Sequence, residues 1–479
     1  MKVSRERWSK EFRDWFRDII FNSGVYEYRY PIKGVGVWPP YGMKIRRYVL
    51  NILKGLLEEK GHEEVLFPTL IPEEFLRKES EHIRSFEEEI FWVTRGGKEA
   101  LTQRLALRPT SETAIMPVLK LWIKSHTDLP LKIYQVVNIF RSETKATHPL
   151  IRLREVTTFK EAHTAHTTFE EAEKQVREAI EIYAKFFDEL GIPYIISKRP
   201  EWDKFAGAVY TIAFDTLLPD GRVLQIGTVH NLGQNFSKAF EVTYLKPDGK
   251  HEYVYTTSYG ISERVIAALV GIHGDDHGLV LPPKVAPVQS IIIPIYYTEE
   301  ERGRACEEAR GIAAELKGKG LRVKVDDRKD ITPGEKFYFW EMKGVPLRIE
   351  IGPKDLKEGK VTLVRRDSLE RWRVRREEVY EEVIKSLNEI SKGLRERAWS
   401  WFKERIVRVG GLEEADSAIR EGKIVEVPWC GREECGFRIE EQLTCKVLGV
   451  DINEEENAEG ACVICRKDAR HYVRIAKTY

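Results

Sequence analysis

The stretch FRSETKATHPLIRLREVTTFKEAH, residues 140–163, decides how the rest of the chain is arranged. Residues 132–143 and 151–163 both read as strands, and the polar loop between them makes an antiparallel hairpin with a long tip. Arg141 ends one of these strands, and Arg152 and Arg154 sit across the hairpin from it. Cationic groups fixed on a paired-strand platform suit chemistry that must neutralise anionic reactants.

Outward from the hairpin the chain alternates between helical and strand patterns. Trp8, Phe12, Trp15, Phe16, Ile19 and Ile20 recur at helical spacing with charges between them, which predicts one amphipathic helix packed on the main body. The segment GVGVWPP, 34–40, must turn, and a second helix runs from about Met43 to Lys60, ended by Gly61. A helix over 168–190 separates the hairpin from strands at 210–217 and 223–229. A further strand at 252–259 leads through Gly260 into a helix over 263–272. Prolines 282, 283 and 287 mark a linker. Beyond it come strand 289–296, helix 299–317, strand 321–326, helix 334–343 and strand 347–351, the alternation of a small α/β unit. A helix-rich stretch with Trp399 and Trp401 then leads into a cysteine-bearing tail.

With 479 residues, of which 42% are hydrophobic, the chain has enough apolar material for more than one core. Its 78 basic residues face 77 acidic ones, so any surface for a nucleic acid must be a local basic patch. The opening MKVSRER lacks the apolar stretch of a signal peptide. Apolar runs such as 265–272 fall short of the ~18 residues that span a bilayer. These features predict a cytoplasmic protein with no membrane association. Six cysteines in such a chain point to thiols or metal, not to a disulfide framework. Cys430 and Cys435 enclose GREE, and Cys462 and Cys465 enclose VI, two close pairs suited to tetrahedral coordination of a structural Zn²⁺. Cys306 and Cys445 fit no pair and read as buried thiols. His163 with His166, and His273 with His277, lack the HExxH pattern and are rejected as zinc pairs.

The common phosphate cradles are missing: there is no GxxxxGK[ST], and no GxGxxG opens a helix after a strand. HIGH and KMSKS are missing too. If ATP binds, arginines and a metal ion must hold its phosphates. Three segments match such a system. GHEEVLFPTLIP (61–72, with Pro68), the 140–163 hairpin and TTSYGISERVIAALVGIHGD (256–275) resemble motifs 1, 2 and 3 of class II aminoacyl-tRNA synthetases. LRPTSET (107–113), EWDKFAG (201–207) and QIGTVHNLGQNFSKAF (225–240) resemble the prolyl-tRNA synthetase family of archaeal/eukaryotic-like type, and the likeness runs from about Trp8 to Tyr479.

That resemblance implies an α+β fold: an antiparallel class II catalytic sheet with flanking helices (1–282), an α/β anticodon-binding domain (283–400) and a small C-terminal zinc-binding domain (401–479). It implies activation of L-proline by ATP with Mg²⁺, transfer to tRNA(Pro), and a homodimer formed through motif 1. The rivals are another class IIa enzyme of threonyl type and a non-catalytic paralogue with a binding role. The latter should have lost Arg141 or Arg264, and both are present.

The resemblance also assigns residues. Arg141 and Arg264 are the catalytic arginines. Arg264 is given the γ-phosphate, at a helix start whose amides favour anions. Thr110 and Glu112 offer a hydroxyl and a carboxylate to the secondary ammonium of proline. Phe159, Glu161, Phe205 and His230 surround its ring, with Ser258 and Arg141 completing the proline contacts. Arg141, Glu143, Arg152, Gln225, Thr228 and Arg264 are given to ATP. Relatives stack adenine on the aromatic of an REF triplet, whereas this chain reads Arg154-Glu155-Val156, so the stacking partner stays open. Glu341, Arg348, Glu350 and Lys354 are the anticodon candidates. The closing KTY resembles members whose terminal carboxylate lies near the active site. Between His163 and Thr256 there is no room for an editing insertion. Alanine and cysteine lack a methylene or two, worth only ~1–3 kcal/mol each, so some mischarging without hydrolytic correction is expected.

Overall fold

A computed structural model describes residues 4–78, 87–143, 145–453 and 458–479. Eleven strands form one sheet. From one edge they run Glu63–Glu64, Leu131–Phe140, Glu155–His166, Tyr255–Ile261, Arg222–Gly233, Tyr210–Leu217, Ile195–Lys198, Lys446–Asp451, His471–Thr478, Ile424–Trp429 and Ile406–Arg408. The hairpin read from the sequence is present, with Lys132 opposite Thr164 and Gln135 opposite Glu161. Its second strand starts later than expected, at Glu155, because the chain turns tightly first. His148 and Arg152 exchange backbone hydrogen bonds of 3.0 and 2.9 Å across that turn, and Leu150 takes φ 60°.

Two of the helices that pack on this sheet lie against its central strands. Phe169–Leu190 is capped by Thr168, whose side chain accepts the Glu171 N–H, and it buries Tyr183, Phe186 and Phe187. Arg264–His273 reads VIAALVGI after its arginine, apolar on every side, and it lies wholly inside the main core. The expected N-terminal helix is two helices, Glu6–Lys10 and Phe12–Asn22, broken at Glu11 with φ −128° and ψ 39°. The break lets both indoles reach the end of the same buried segment. Trp8 Nε1 donates to Gly271 O at 2.6 Å and Trp15 Nε1 to Asp275 O at 2.9 Å. The strand expected at 252–259 is divided into His251–Tyr253 and Tyr255–Ile261.

The α/β unit carries a five-stranded sheet in the order Val323–Val325, Ser290–Pro294, Leu347–Ile351, Lys360–Arg365, Arg371–Arg375. The first three strands are parallel and the last two antiparallel. The helix-rich stretch is the helix Val379–Lys403, and four strands of the cysteine-bearing tail beyond it join the main sheet. Val450 pairs with Lys198 and Lys477 with Arg222. No helix among the described residues is long and apolar enough to cross a membrane.

Arg366 of the α/β unit is bidentate on Asp275 at 2.7 and 2.6 Å, just beyond the buried helix, with both side chains almost fully buried. Removing one partner of a buried pair strands the other charge. Asp275→Ala is therefore expected to destabilise the chain by about 3–5 kcal/mol, read as a lowered denaturant midpoint. A midpoint unchanged from the parent chain would contradict this.

Candidate active site

The open end of the hairpin, the start of the Arg264–His273 helix and the face of Arg222–Gly233 enclose one cavity of about 300 Å³. All the residues assigned to catalysis, proline or ATP line it: Thr110, Glu112, Arg141, Glu143, Arg152, Phe159, Glu161, Phe205, Gln225, Thr228, His230, Ser258 and Arg264.

A bulge in the hairpin makes this convergence possible. Val137 faces Phe159, but Ile139 faces Val156, so Thr157 and Thr158 oppose the single residue Asn138. In a regular strand Val156 and Phe159 would point to opposite faces. With the bulge, Val156, Phe159 and Glu161 all face the cavity. Thr157 and Thr158 face away, accepting from Trp38 Nε1 at 2.7 Å and Arg46 Nε at 2.6 Å. The buried Glu263 carboxylate closes the bulge by accepting the backbone N–H of Thr157 at 2.9 Å and of Thr158 at 3.2 Å. Sequence reasoning missed Glu263, because a residue beside Arg264 carries no spacing signal for a partner a hundred positions earlier.

One end of the cavity is acidic. Glu112 opens the helix Glu112–Trp122 and accepts from the Thr110 hydroxyl and, at 2.9 Å, from the Ser258 hydroxyl. Glu161 accepts from the Ser111 hydroxyl and from Gln135 Nε2 at 2.9 Å, and its other oxygen lies 3.2 Å from His163 Nε2. Ser111, Gln135 and His163 were not foreseen as site residues. Thr110, Glu112, Glu161 and His163 are all buried, so the two carboxylates sit in a place of low effective dielectric. Glu112, Glu161 and His163 also bring ligand atoms within 4.8 Å of one another. The Phe205 ring stacks on His230 with centroids 4.6 Å apart and planes at 30°. Thr211 joins them: its oxygen accepts the Phe205 N–H at 2.9 Å and faces His230 Nδ1 at 2.9 Å. Burial pushes the His230 pKa down to about 4, so at neutral pH this wall carries no positive charge.

The other end is basic. Arg141 Nε donates to Pro109 O at 3.2 Å, and burial lowers the guanidinium's pKa despite the carboxylates around it. Arg264 Nε donates to Ile151 O at 2.8 Å. Its pKa is pushed down to about 10, first by burial and then by Arg141 and Arg152. These cations repel one another in a desolvated space, which is the electrostatic condition for holding a polyanion. Arg152 Nε lies 3.9 Å from Glu143. Arg154, expected on the same platform, turns out to line a separate apolar groove with Tyr30, Ile32 and Phe140 and donates to Glu143 O at 3.3 Å. It lies in the turn before the strand, where strand alternation does not apply. The aliphatic Leu150, Ile151 and Leu153 line the cavity together with Val156, which stands at the position of the REF aromatic.

Away from the cavity, the sulfurs of Cys430, Cys435, Cys462 and Cys465 lie within 4.8 Å of one another. Arg432 Nε stands 3.4 Å from Cys430 Sγ and its Nη2 3.8 Å from Cys435 Sγ, a cation beside four thiols. Cys306 and Cys445 are buried outside this group. In the α/β unit Arg348 donates to Glu341 at 2.7 Å and to Glu350 at 2.9 Å, Glu350 is buried, and Lys354 is exposed. Tyr479 donates to Asp220 at 2.9 Å, and its ring lies 6.0 Å from His148 in the hairpin loop.

Comparison with known proteins converges on one family. The family model for the tRNA synthetase class II core domain (G, H, P, S and T) matches residues 91–273. An anticodon binding domain model matches 289–386, and a model for the prolyl-tRNA synthetase C-terminal region matches 412–479. The proline–tRNA ligase of Ignicoccus hospitalis is 56% identical over 482 residues, covering all of both chains. That of Methanopyrus kandleri is 57% identical over 469 residues, covering 98% of this chain and 96% of its own. The structure of Giardia lamblia prolyl-tRNA synthetase in complex with prolyl-adenylate superposes with a TM-score of 0.95 at 36% identity, covering 100% of this chain and 99% of that one.

Three buried histidines, His230 in the cavity wall and His62 and His166 elsewhere in the fold, give a pH dependence with a definite sign. Burial pushes His62, His166 and His230 each down to about 4. Unfolded, each titrates near ~6.5, so between these values the unfolded chain binds more protons and stability must fall as pH drops. At pH ~4 the loss approaches about 3 kcal/mol per histidine. Denaturant midpoints measured from pH ~7 to ~4 are expected to fall across this window, less steeply in His166→Gln. A flat profile would refute the burial of neutral imidazoles.

Proposed function

The chain belongs to the prolyl-tRNA synthetase family of class II aminoacyl-tRNA synthetases, and from that premise we propose that it uses ATP to activate L-proline as prolyl-adenylate and passes the prolyl group to tRNA(Pro). The observation that carries this reading is the one cavity with the buried carboxylates of Glu112 and Glu161 at one end and the half-buried guanidinium groups of Arg141, Arg152 and Arg264 at the other. A threonyl-type enzyme is not favoured by the relatives, and an inert paralogue is not favoured by a cavity that keeps both Arg141 and Arg264.

In the proposed mechanism the secondary ammonium of proline lies against Glu112 and Thr110, with Ser258 orienting Glu112 and with Ser111, Gln135 and His163 orienting Glu161. Phe159, Phe205 and His230 enclose the ring. The proline carboxylate then points at Arg141. ATP enters with its phosphates toward Arg141, Arg152 and Arg264, and Glu143 would help hold a Mg²⁺ ion, which would neutralise phosphate charge there. Gln225 and Thr228 flank the nucleotide from the strand Arg222–Gly233, and adenine lies on the aliphatic wall that includes Val156. A carboxylate oxygen attacks the α-phosphorus and pyrophosphate leaves. The terminal ribose hydroxyl of tRNA then attacks the prolyl carbonyl and AMP leaves. Catalysis is mainly positioning and charge neutralisation.

The four clustered cysteines fit Zn²⁺ by donor type and number, and Arg432 offsets part of the thiolate charge. A metal there would cross-link the two ends of the tail. The α/β unit is read as the anticodon-binding domain, with Glu341, Arg348 and Lys354 as candidates for base edges, whereas Glu350 is buried and accepts from Arg348, so it holds that side chain and meets no base. A homodimer is supported by apolar side chains left exposed on and near motif 1, Leu66 at 80% and Trp122 at 48%. A cytoplasmic location follows from a role in translation, and residues 163–256 leave no segment for an editing domain.

Proline-dependent ATP–pyrophosphate exchange tests the reading. Proline is expected to dominate over threonine, serine and histidine, and Arg141→Ala is expected to reduce exchange by ~10²–10³-fold. Threonine-dependent exchange of equal size would overturn it. Metal analysis of the purified chain is expected to find zinc, lost in Cys462→Ser. Equal zinc in both would remove the thiolate site.

A further inference from the structure

The wall of the proline slot is held from behind by the cysteine-bearing unit. Phe205 ends a segment that leaves the strand ladder after Arg199, whose N–H still donates to Thr211 O at 2.9 Å, and that contains only a 3-10 turn, Glu201–Asp203. Such a segment takes its position from whatever side chains anchor it. Three residues before Phe205, Trp202 packs into the apolar cluster that contains Cys430, Cys435 and Cys462. Its ring lies 6.1 Å from Trp429, edge-on at 83°, and 5.0 Å from Phe437. Gly436, directly after Cys435, supplies the space: a Cβ there would stand 2.2 Å from the indole.

A second tie runs beside the first. Buried Arg199 is bidentate on Asp215, 2.8 Å to each oxygen, and donates to Leu448 O of the strand Lys446–Asp451. On the cavity side the segment ends in the Phe205–His230 stack and the hydrogen bond to Thr211. The phosphate-facing residues stand elsewhere, on the hairpin and on the Arg264–His273 helix.

We propose that Trp202, wedged against Gly436, is a positioning residue for Phe205, so that the cysteine-bearing unit sets proline affinity without touching proline. The proposal rests on the reading of the cavity as a prolyl site. A ring the size of tryptophan buries about 150–250 Å² and fixes a short segment far more firmly than a smaller side chain would. Its loss frees the Phe205 wall while leaving the nucleotide end in place.

Proline-dependent exchange by the full-length chain, with zinc content and melting temperature measured alongside, tests this. Trp202→Ala and Gly436→Ala are expected to raise KM for proline roughly tenfold or more, with KM for ATP within about twofold and zinc retained, because a misplaced wall costs only the ligand it touches. Trp202→Phe is expected to recover most of the affinity. An unchanged KM for proline in both variants, or an equal rise in both KM values, would overturn the proposal. Absence of proline-dependent exchange in the unsubstituted chain is a different result, and it overturns the functional reading beneath.

Discussion

A carboxylate must be brought against a phosphate that repels it, and this requirement explains most of what is unusual inside the molecule. Arg141 and Arg264 are held in a desolvated space where burial lowers the basicity of both and Arg141 lowers that of Arg264 further, an arrangement a stable fold would otherwise avoid. Burial strengthens their field, since the same pair of charges interacts far more strongly away from water. The price is a rigid platform. The hairpin, the wholly apolar helix behind Arg264 and the long sheet supply it. Glu112 and Glu161 add a second demand, because buried carboxylates need donors, and Ser258, Ser111 and Gln135 provide them.

The bulge at Thr157 and Thr158 reconciles these demands with one strand. It lets Val156, Phe159 and Glu161 share a face, so the aliphatic wall and the acidic end of the cavity hang from the same backbone. Glu263 holds that bulge from the residue before Arg264. The clamp thus links the second and third motifs directly.

The residues that line the cavity were legible through the resemblance of their segments to family motifs, while the elements that carry them were legible in local pattern. The hairpin, the 168–190 helix, the α/β alternation and the paired cysteines all declared themselves in short windows. What failed was non-local. Alternation placed Arg154 beside Arg152, but the turn at Leu150 breaks the alternation and sends Arg154 into another groove. One helix was expected at the start, and two tryptophans reaching for separate carbonyls made it two. The tail gave no hint that its strands would extend a sheet begun more than two hundred residues earlier, since short strands carry no label for their partners. Ser111, Gln135 and His163 matter only through Glu161, so no spacing rule marks them.

The most direct measurement compares two non-hydrolysable prolyl-adenylate analogues, one with the pyrrolidine nitrogen and one with a cyclopentane ring in its place. A slot built around buried Glu112 should prefer the charged ring by about 10⁴-fold, measured calorimetrically, and the preference should collapse in Glu112→Gln. Equal affinity for the two analogues in the unsubstituted chain would contradict the pairing of an acidic slot with a basic clamp in one cavity.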